Sequence, residues 1–363
     1  MIFDYPKNGK IAVAMSGGVD SSVVAALLKE QGYDIMGISL SLWSCHRSER
    51  RKTCCSTVDV MDARLVCEKI GIPFTQLDLQ SEFKGVVINH FVNEYANGRT
   101  PIPCIPCNDT FKFQRMWEEA STRFNAAYVA TGHYAKLTRD ADGTMHLYRG
   151  EDDKKDQSYF LFSLTQEQLA RSLFPVGDLT KSVVREMATK YNLVNAQKAE
   201  SQEICFVPDN DYAGFIEDYF PEKMGDPGKF VNQKGEEIGR HRGIHAYTVG
   251  QRRGLHLSMG ERVYVSEIDP KSNTVVIGDD SHLNKNQLTA SRANWIQAMP
   301  ETFRATAKIR YAHTPAPCTV KRSETGDFEI TFDEAQRAIT PGQAVVVYQG
   351  EEVLGGGWID NVR

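Results

Sequence analysis

The stretch Ser16-Gly17-Gly18-Val19-Asp20-Ser21-Ser22 constrains this chain more than any other. It lies between a short apolar strand pattern, Lys10 to Met15, and an apolar helical pattern, Ser21 to Gln31. Glycines let the backbone turn tightly here and leave its amides open at the start of a helix. Those amides, the hydroxyls of Ser16, Ser21 and Ser22, and the helix dipole together suit a chain of phosphates. Asp20 adds a carboxylate able to hold magnesium, which offsets phosphate charge. No lysine stands in the loop, so it is not a Walker P-loop and implies no transfer of a γ-phosphate.

The same alternation continues downstream. Tyr33 to Leu42 reads as a second strand, Val58 to Ile70 as a helix stopped by Gly71, Phe74 to Leu79 as a strand, and Asn125 to Thr131 as a strand ending before Gly132-His133. Strands alternating with helices predict an α/β fold with a mainly parallel sheet and ligands at the carboxyl ends of its strands. The pattern changes near Pro208. After one helix, Asp211 to Tyr219, short apolar runs recur between turn residues: Val263 to Ile268, Thr274 to Ile277, Thr306 to Arg310, Cys318 to Lys321, Glu329 to Phe332 and Ala344 to Tyr348. Such runs predict a small barrel or sandwich. A chain of 363 residues holds two or three domains, here placed at 1–208, 209–283 and 284–363, the last expected to be a C-terminal β-barrel.

No stretch approaches the roughly 18 apolar residues of a membrane helix, and the run Ile11 to Met15 is too short for a signal segment. No membrane association and a cytoplasmic location are therefore expected. Eight cysteines are too few for a disulfide scaffold in a chain of this length, and in a reducing compartment they serve as thiols, metal ligands or catalysts. The net charge of −5 does not by itself suggest a nucleic-acid partner. Basic clusters do occur, at Arg47, Arg50, Arg51 and Lys52, at Lys154 and Lys155, at Arg240 and Arg242, at Arg252 and Arg253, and at Lys321 and Arg322. Singly, each reads as a solvated patch.

Two cysteines stand out locally. Cys107 follows the stiff segment Arg99 to Pro106 and precedes Asn108 to Phe113, which reads as a helix start that would lower the thiol pKa. Cys205 lies in Ser201 to Phe206, far away along the chain. Cys104 makes a Cys-x-x-Cys with Cys107, and with Cys205 as third ligand the spacing also admits zinc or a [4Fe–4S] cluster with an open coordination position. That reading stands beside metal-free thiol chemistry. Cys45, Cys54 and Cys55 flank a basic loop without zinc-finger spacing, Cys67 and Cys318 fit core positions, and His133 is expected near a bound nucleotide.

The glycine-serine loop resembles that of the PP-loop ATP pyrophosphatases. The resemblance implies that a substrate oxygen attacks the α-phosphate of ATP, with Ala14, Met15, Ser16, Gly17, Gly18, Val19, Asp20, Ser21, Ser22, Leu40 and Gly132 around the nucleotide. Across nearly the whole chain the motifs resemble those of the tRNA-specific 2-thiouridylases, the MnmA/TrmU family. They are the loop, Cys54 to Ser56, Arg99 to Asn108, Ala130 to Tyr134, Lys155 to Phe160, the Ile-Cys-Phe around Cys205, Gly250 to Leu255, Arg310-Tyr311 and Gly355 to Gly357. The likeness implies an N-terminal catalytic domain and a small central tRNA-binding domain. It implies ATP- and Mg2+-dependent adenylation of the C2 oxygen of the wobble uridine in Lys, Glu and Gln tRNAs, with release of AMP and pyrophosphate. Cys205 would carry a persulfide and Cys107 would be the partner nucleophile, the two closing to a disulfide. Ile102, Pro103 and Cys104 would touch the base, and Lys155, Asp156, Gln157, Arg310 and Tyr311 the tRNA. A cysteine desulfurase or sulfur-relay protein would load a monomeric enzyme.

Two positions depart from the family's common form: Ile102 stands where Asn is frequent, and Cys104 where Asp is, so an Asp-dependent step does not carry over and Cys104 is a candidate auxiliary thiol or cluster ligand. Amidating PP-loop ligases, such as argininosuccinate or lysidine synthetases, need no cysteine pair. A noncatalytic tRNA-binding sulfur carrier needs no pyrophosphate loop.

Overall fold

Ile11, Ala12 and Val13 are wholly buried in the central strand β1 (Lys10–Ala14), covered on both faces as a parallel strand between helices must be. The computed structural model describes Tyr5 and residues 9–43, 57–200 and 204–363, which divide into two units. Cys45, Cys54, Cys55 and the Arg47 to Lys52 cluster lie outside the described residues, as do Ser201, Gln202 and Glu203.

The first unit comprises residues 1–87, 104–210 and 351–353. After β1 come α1 (Val19–Glu30), β2 (Ile35–Ser41), α2 (Thr57–Ile70), β3 (Phe74–Asp78) and, beyond further helices, β4 (Ala126–Ala130). The strands stack in the order β3, β2, β1, β4, Ser172–Leu173, every pair parallel. The chain steps outward through β2 and β3 and then returns to the other side of β1, so the strand order reverses between β1 and β4. A crevice for ligands opens at the carboxyl ends of strands at such a reversal. Helix α1 buries Val19 and every residue from Ser21 to Leu28. It shares a core with Val13, Val66, Cys67, Val184 and Ala188. Cys67 is packing: a Cβ on Gly37 would stand 2.5 Å from its sulfur, and burial pushes the thiol up to about 12.

The second unit comprises residues 88–103, 211–350 and 354–363. One sheet runs Tyr264–Asp269, Thr274–Gly278, Gly228–Val231, Glu237–His241, over a core of Phe230, Ile244, Tyr247, Val265 and Val275. Tyr95, of the helix Asn89–Ala96, stacks on Tyr212 with ring centres 4.4 Å apart. The six strands of the other, eight-stranded sheet that lie mainly in this unit run Asn284–Trp295, Phe328–Arg337, Ala316–Arg322, Thr302–Lys308, Ala344–Gln349, Glu352–Val362. The first and last of these six pair from Leu288↔Val362 to Trp295↔Gly355, so they close on themselves: a barrel, filled by Leu288, Val320, Phe328, Ile330 and Val347. Cys318 belongs to that core, and burial pushes its thiol up to about 12.

Candidate active site

The loop between β1 and α1 is braced from within. Ser21 Oγ accepts the Ser16 amide at 3.3 Å and donates to the Gly18 carbonyl at 3.2 Å, and Ser22 Oγ donates to the same carbonyl at 2.9 Å. Gly17 has φ +72°, and a Cβ there would strike the Asp59 carbonyl at 2.2 Å, so only glycine fits. The loop is also clamped from behind. Asn195 Nδ2 donates to the carbonyls of Gly17 (2.9 Å) and Gly18 (3.2 Å), and Lys198 Nζ donates to Gly17 O at 3.1 Å while pairing with Asp59 and Asp62, both at 2.5 Å. With the Gly17 and Gly18 carbonyls held from behind, the α1 amino terminus is left toward the strand-end crevice, where an anion is stabilised. Gly132, just after β4, closes the other wall. A Cβ there would lie 2.8 Å from Asp20 Cβ and 2.9 Å from the Ser21 amide. Met15 is buried, and Ala14 and Leu40 are half-buried near the ends of β1 and β2.

Asp20 heads a polar cluster. Its Oδ1 accepts the Tyr134 hydroxyl at 2.8 Å and pairs with Lys181 Nζ at 2.6 Å. Burial and then the Asp20 charge push the Tyr134 hydroxyl up, so it stays a donor. Lys181 also meets Glu200 at 3.1 Å, and Glu200 meets Lys155 at 2.5 Å and Arg185 at 3.5 Å. Burial works to raise the Glu200 carboxyl, but Lys155 and Lys181 outweigh it and hold it at about 2. His133 directly follows Gly132. It is buried between Phe113 and Phe174, its Nδ1 2.7 Å from Thr131 Oγ1, and burial next to Lys112 keeps it neutral.

The two cysteine segments meet through aromatic packing. Phe206, fully buried beside Cys205, packs edge-on against Phe83 with centres 5.8 Å apart, and Phe83 packs against Phe111 at 5.3 Å, one turn beyond Cys107. Cys107 is buried, Cys205 half-buried and Cys104 exposed. The helix starts one turn earlier than its residues suggest. Cys104–Pro106 forms the first turn, and Cys107 opens a wide π-type segment, Cys107–Arg115, that runs into Met116–Phe124. Wide turns of this kind recur at functional sites. The cluster reading of Cys104, Cys107 and Cys205 is not met. Among the described residues no set of three or more His, Cys, Asp or Glu side chains is arranged to hold a metal ion, and Cys104 is exposed while Cys107 is buried.

Residues 9–209 match the tRNA methyl transferase HUP domain, residues 213–279 the PRC-barrel domain of the same name, and residues 285–359 an aminomethyltransferase β-barrel domain. The tRNA-specific 2-thiouridylase MnmA of Geobacter metallireducens is 49% identical over 359 residues, covering 97% of this chain and 96% of that protein. The chain belongs to the tRNA-specific 2-thiouridylase family. The family's protein of the same name from Clostridioides difficile is 46% identical over 97% of this chain and 98% of its own. Among solved structures, NMN synthetase from Francisella tularensis aligns over 55% of this chain and 68% of that one at 17% identity and a TM-score of 0.33, a likeness too slight to build on.

The loop from Ser16 to Ser22 lies within the matched HUP domain. The expected tRNA contacts have varied settings. Lys155 pairs with Glu200. Asp156 is only 2% exposed and turns inward, accepting the amides of Gly150 and Ser158 and pairing with Arg149. Gln157 Oε1 accepts the Tyr134 amide at 3.1 Å. Ile102 is half-buried and Pro103 buried, in the second unit. Arg310 donates to the Arg337 carbonyl at 3.0 Å, and Tyr311 lies under the Lys308 ammonium, in the barrel. Reading the sequence missed Lys181, Asn195, Lys198 and Glu200. Nothing in their local spacing announces them, since each reaches the loop only through the fold.

Proposed function

We propose that this chain replaces the C2 oxygen of the wobble uridine of Lys, Glu and Gln tRNAs with sulfur, at the cost of ATP cleaved to AMP and pyrophosphate. The observation that carries the reading is the placement, in one unit, of a pyrophosphate-type loop and two cysteine segments joined through Phe83. A uridine oxygen is a poor leaving group until it is esterified to phosphate. Attack of that oxygen on the α-phosphorus forms the adenylated base and expels pyrophosphate into the cradle of Ser16 to Ser22. The loop's fixed amides stabilise the charge that develops there. Magnesium carried in with ATP would meet the Asp20 carboxylate and neutralise phosphate charge, since this ion keeps substrate phosphates and one or two carboxylates as ligands.

The sulfur step follows from thiol chemistry. The outer sulfur of a persulfide on Cys205 attacks C2, and AMP departs with the oxygen. The Cys107 thiolate then attacks Cys205 Sγ, breaks the sulfur–sulfur bond and leaves the second sulfur on the base. Cys107 and Cys205 end as a disulfide, which a cellular thiol reductant reopens before a desulfurase or relay protein reloads Cys205. Ile102, Pro103 and Cys104 would border the base, and Lys155, Arg310 and Tyr311 would bind the tRNA. The enzyme would work as a monomer in the cytoplasm, and among the described residues no helix is long and apolar enough to cross a membrane.

The matched domain's methyltransferase label suggests a second outcome, but methyl transfer uses neither a pyrophosphate loop nor a thiol pair. Digestion of tRNA from cells lacking the gene decides between them. Loss of 2-thiouridine, restored by the intact gene, is expected; loss of a methylated base with thiolation intact contradicts the proposal.

A further inference from the structure

We propose that Lys181 supplies the phosphate-gripping cation that the loop itself lacks, passing from Asp20 to the polyphosphate of ATP as nucleotide binds. The inference rests on reading the loop as an ATP site. Ser16 to Ser22 contains no lysine or arginine, yet ATP brings several negative charges to it. Lys181 arrives from 161 residues along the chain, as the first residue of the helix Lys181–Lys190, with its ammonium 2.6 Å from Asp20 Oδ1. The residue is only 8% exposed, whereas the Asp20 side chain is 30% exposed. The ammonium therefore sits behind the carboxylate that borders the phosphate cradle.

The ammonium is shared between carboxylates. Lys155, Lys181 and Arg185 converge on Asp20 and Glu200, and the Asp152 carboxylate accepts the Lys181 amide at 2.9 Å. The other nearby cation is already matched: Lys198 pairs with both Asp59 and Asp62 and holds the back of the loop. When Asp20 turns to the magnesium of ATP, the Lys181 ammonium loses its closest partner. Its flexible stem and rotatable donors then let it reach a phosphate oxygen, while Glu200 and the Tyr134 ring, whose centre is 5.8 Å away, keep it in place.

Calorimetric titration of the full chain with pyrophosphate, ATP and adenosine tests this. Lys181→Gln should weaken pyrophosphate and ATP about tenfold or more, the usual worth of one charge-assisted hydrogen bond, and leave adenosine within about twofold. Lys190→Gln, which removes an exposed cation at the far end of the same helix, should not weaken pyrophosphate. Lys181→Arg, which preserves the ion pair if Lys181→Gln fails to fold, should hold pyrophosphate within a few-fold of wild type. Wild-type pyrophosphate affinity in folded Lys181→Gln overturns the proposal. So does equal loss in Lys190→Gln, or loss of pyrophosphate binding by folded Lys181→Arg. If the unaltered protein binds neither ATP nor pyrophosphate, the ATP reading itself fails.

Discussion

At the scale of single residues, the three cysteines near the site differ in setting and so should differ in consequence. Cys205→Ser and Cys107→Ser should each abolish thiolation in metal-free, air-purified protein supplied with a desulfurase, while Cys104→Ser keeps part of it, since its exposed thiol only tunes the site. Retarded migration of thiolated tRNA on a mercury-containing gel reads this out; a Cys104→Ser variant as dead as the other two would contradict it. Glu200 gives a pH prediction. Its folded pKa, about 2, lies below the ordinary value of 4.5. Its contribution to stability is therefore complete above about pH 4.5 and lost as pH falls toward 2. Glu200→Gln should flatten the acid side of the melting-temperature profile in that window, and an unchanged profile would show that the Lys155–Glu200–Lys181 pairs add nothing. Cys67 and Cys318 were legible as core from their apolar neighbours alone, whereas Asp156, placed by its motif among the tRNA contacts, is turned inward by the Gly150 and Ser158 amides.

At the scale of elements, the loop and its two walls form one rigid piece. Gly132→Ala should push the β4 turn off Asp20 and Ser21, costing about 1–3 kcal/mol as overpacking does and weakening ATP binding; calorimetry showing unchanged affinity and stability would refute the close contact. The boundaries of β1, α1, β2, α2, β3 and β4 follow the sequence within a residue or two, because each carries an apolar pattern bounded by turn residues. Among the strands that escaped notice, two did so for the opposite reason. Asn284–Trp295 is mostly polar and buries only Leu288 and Ala290. Glu352–Val362 contains Gly355-Gly356-Gly357, which reads as a turn. In the fold Gly355, at φ +149°, is where the neighbouring strand comes so close that a Cβ would stand 2.2 Å from Asn294 O, and a Cβ on Gly357 would meet Phe328 at 2.7 Å. Glycine there is a device for closing the barrel.

At the scale of the whole molecule, the α/β class and a C-terminal region of short strands were legible from periodicity. The choice of barrel over sandwich was not, since it turns on the pairing of strands more than fifty residues apart. The back-clamp of Asn195 and Lys198, and the reach of Lys181 to Asp20, likewise depend on packing that no local pattern encodes. If the barrel binds tRNA, Arg310→Ala should weaken binding and lower its salt slope by about one; unchanged affinity and slope would assign Arg310 to the Arg337 carbonyl alone. The central claim is that one chain couples ATP cleavage at the α-phosphate to sulfur entering tRNA. Purified protein, unmodified tRNA, ATP and a loaded desulfurase should yield AMP, pyrophosphate and 2-thiouridine in equal amounts, and ADP with phosphate, or AMP formed without thiolation, would contradict it.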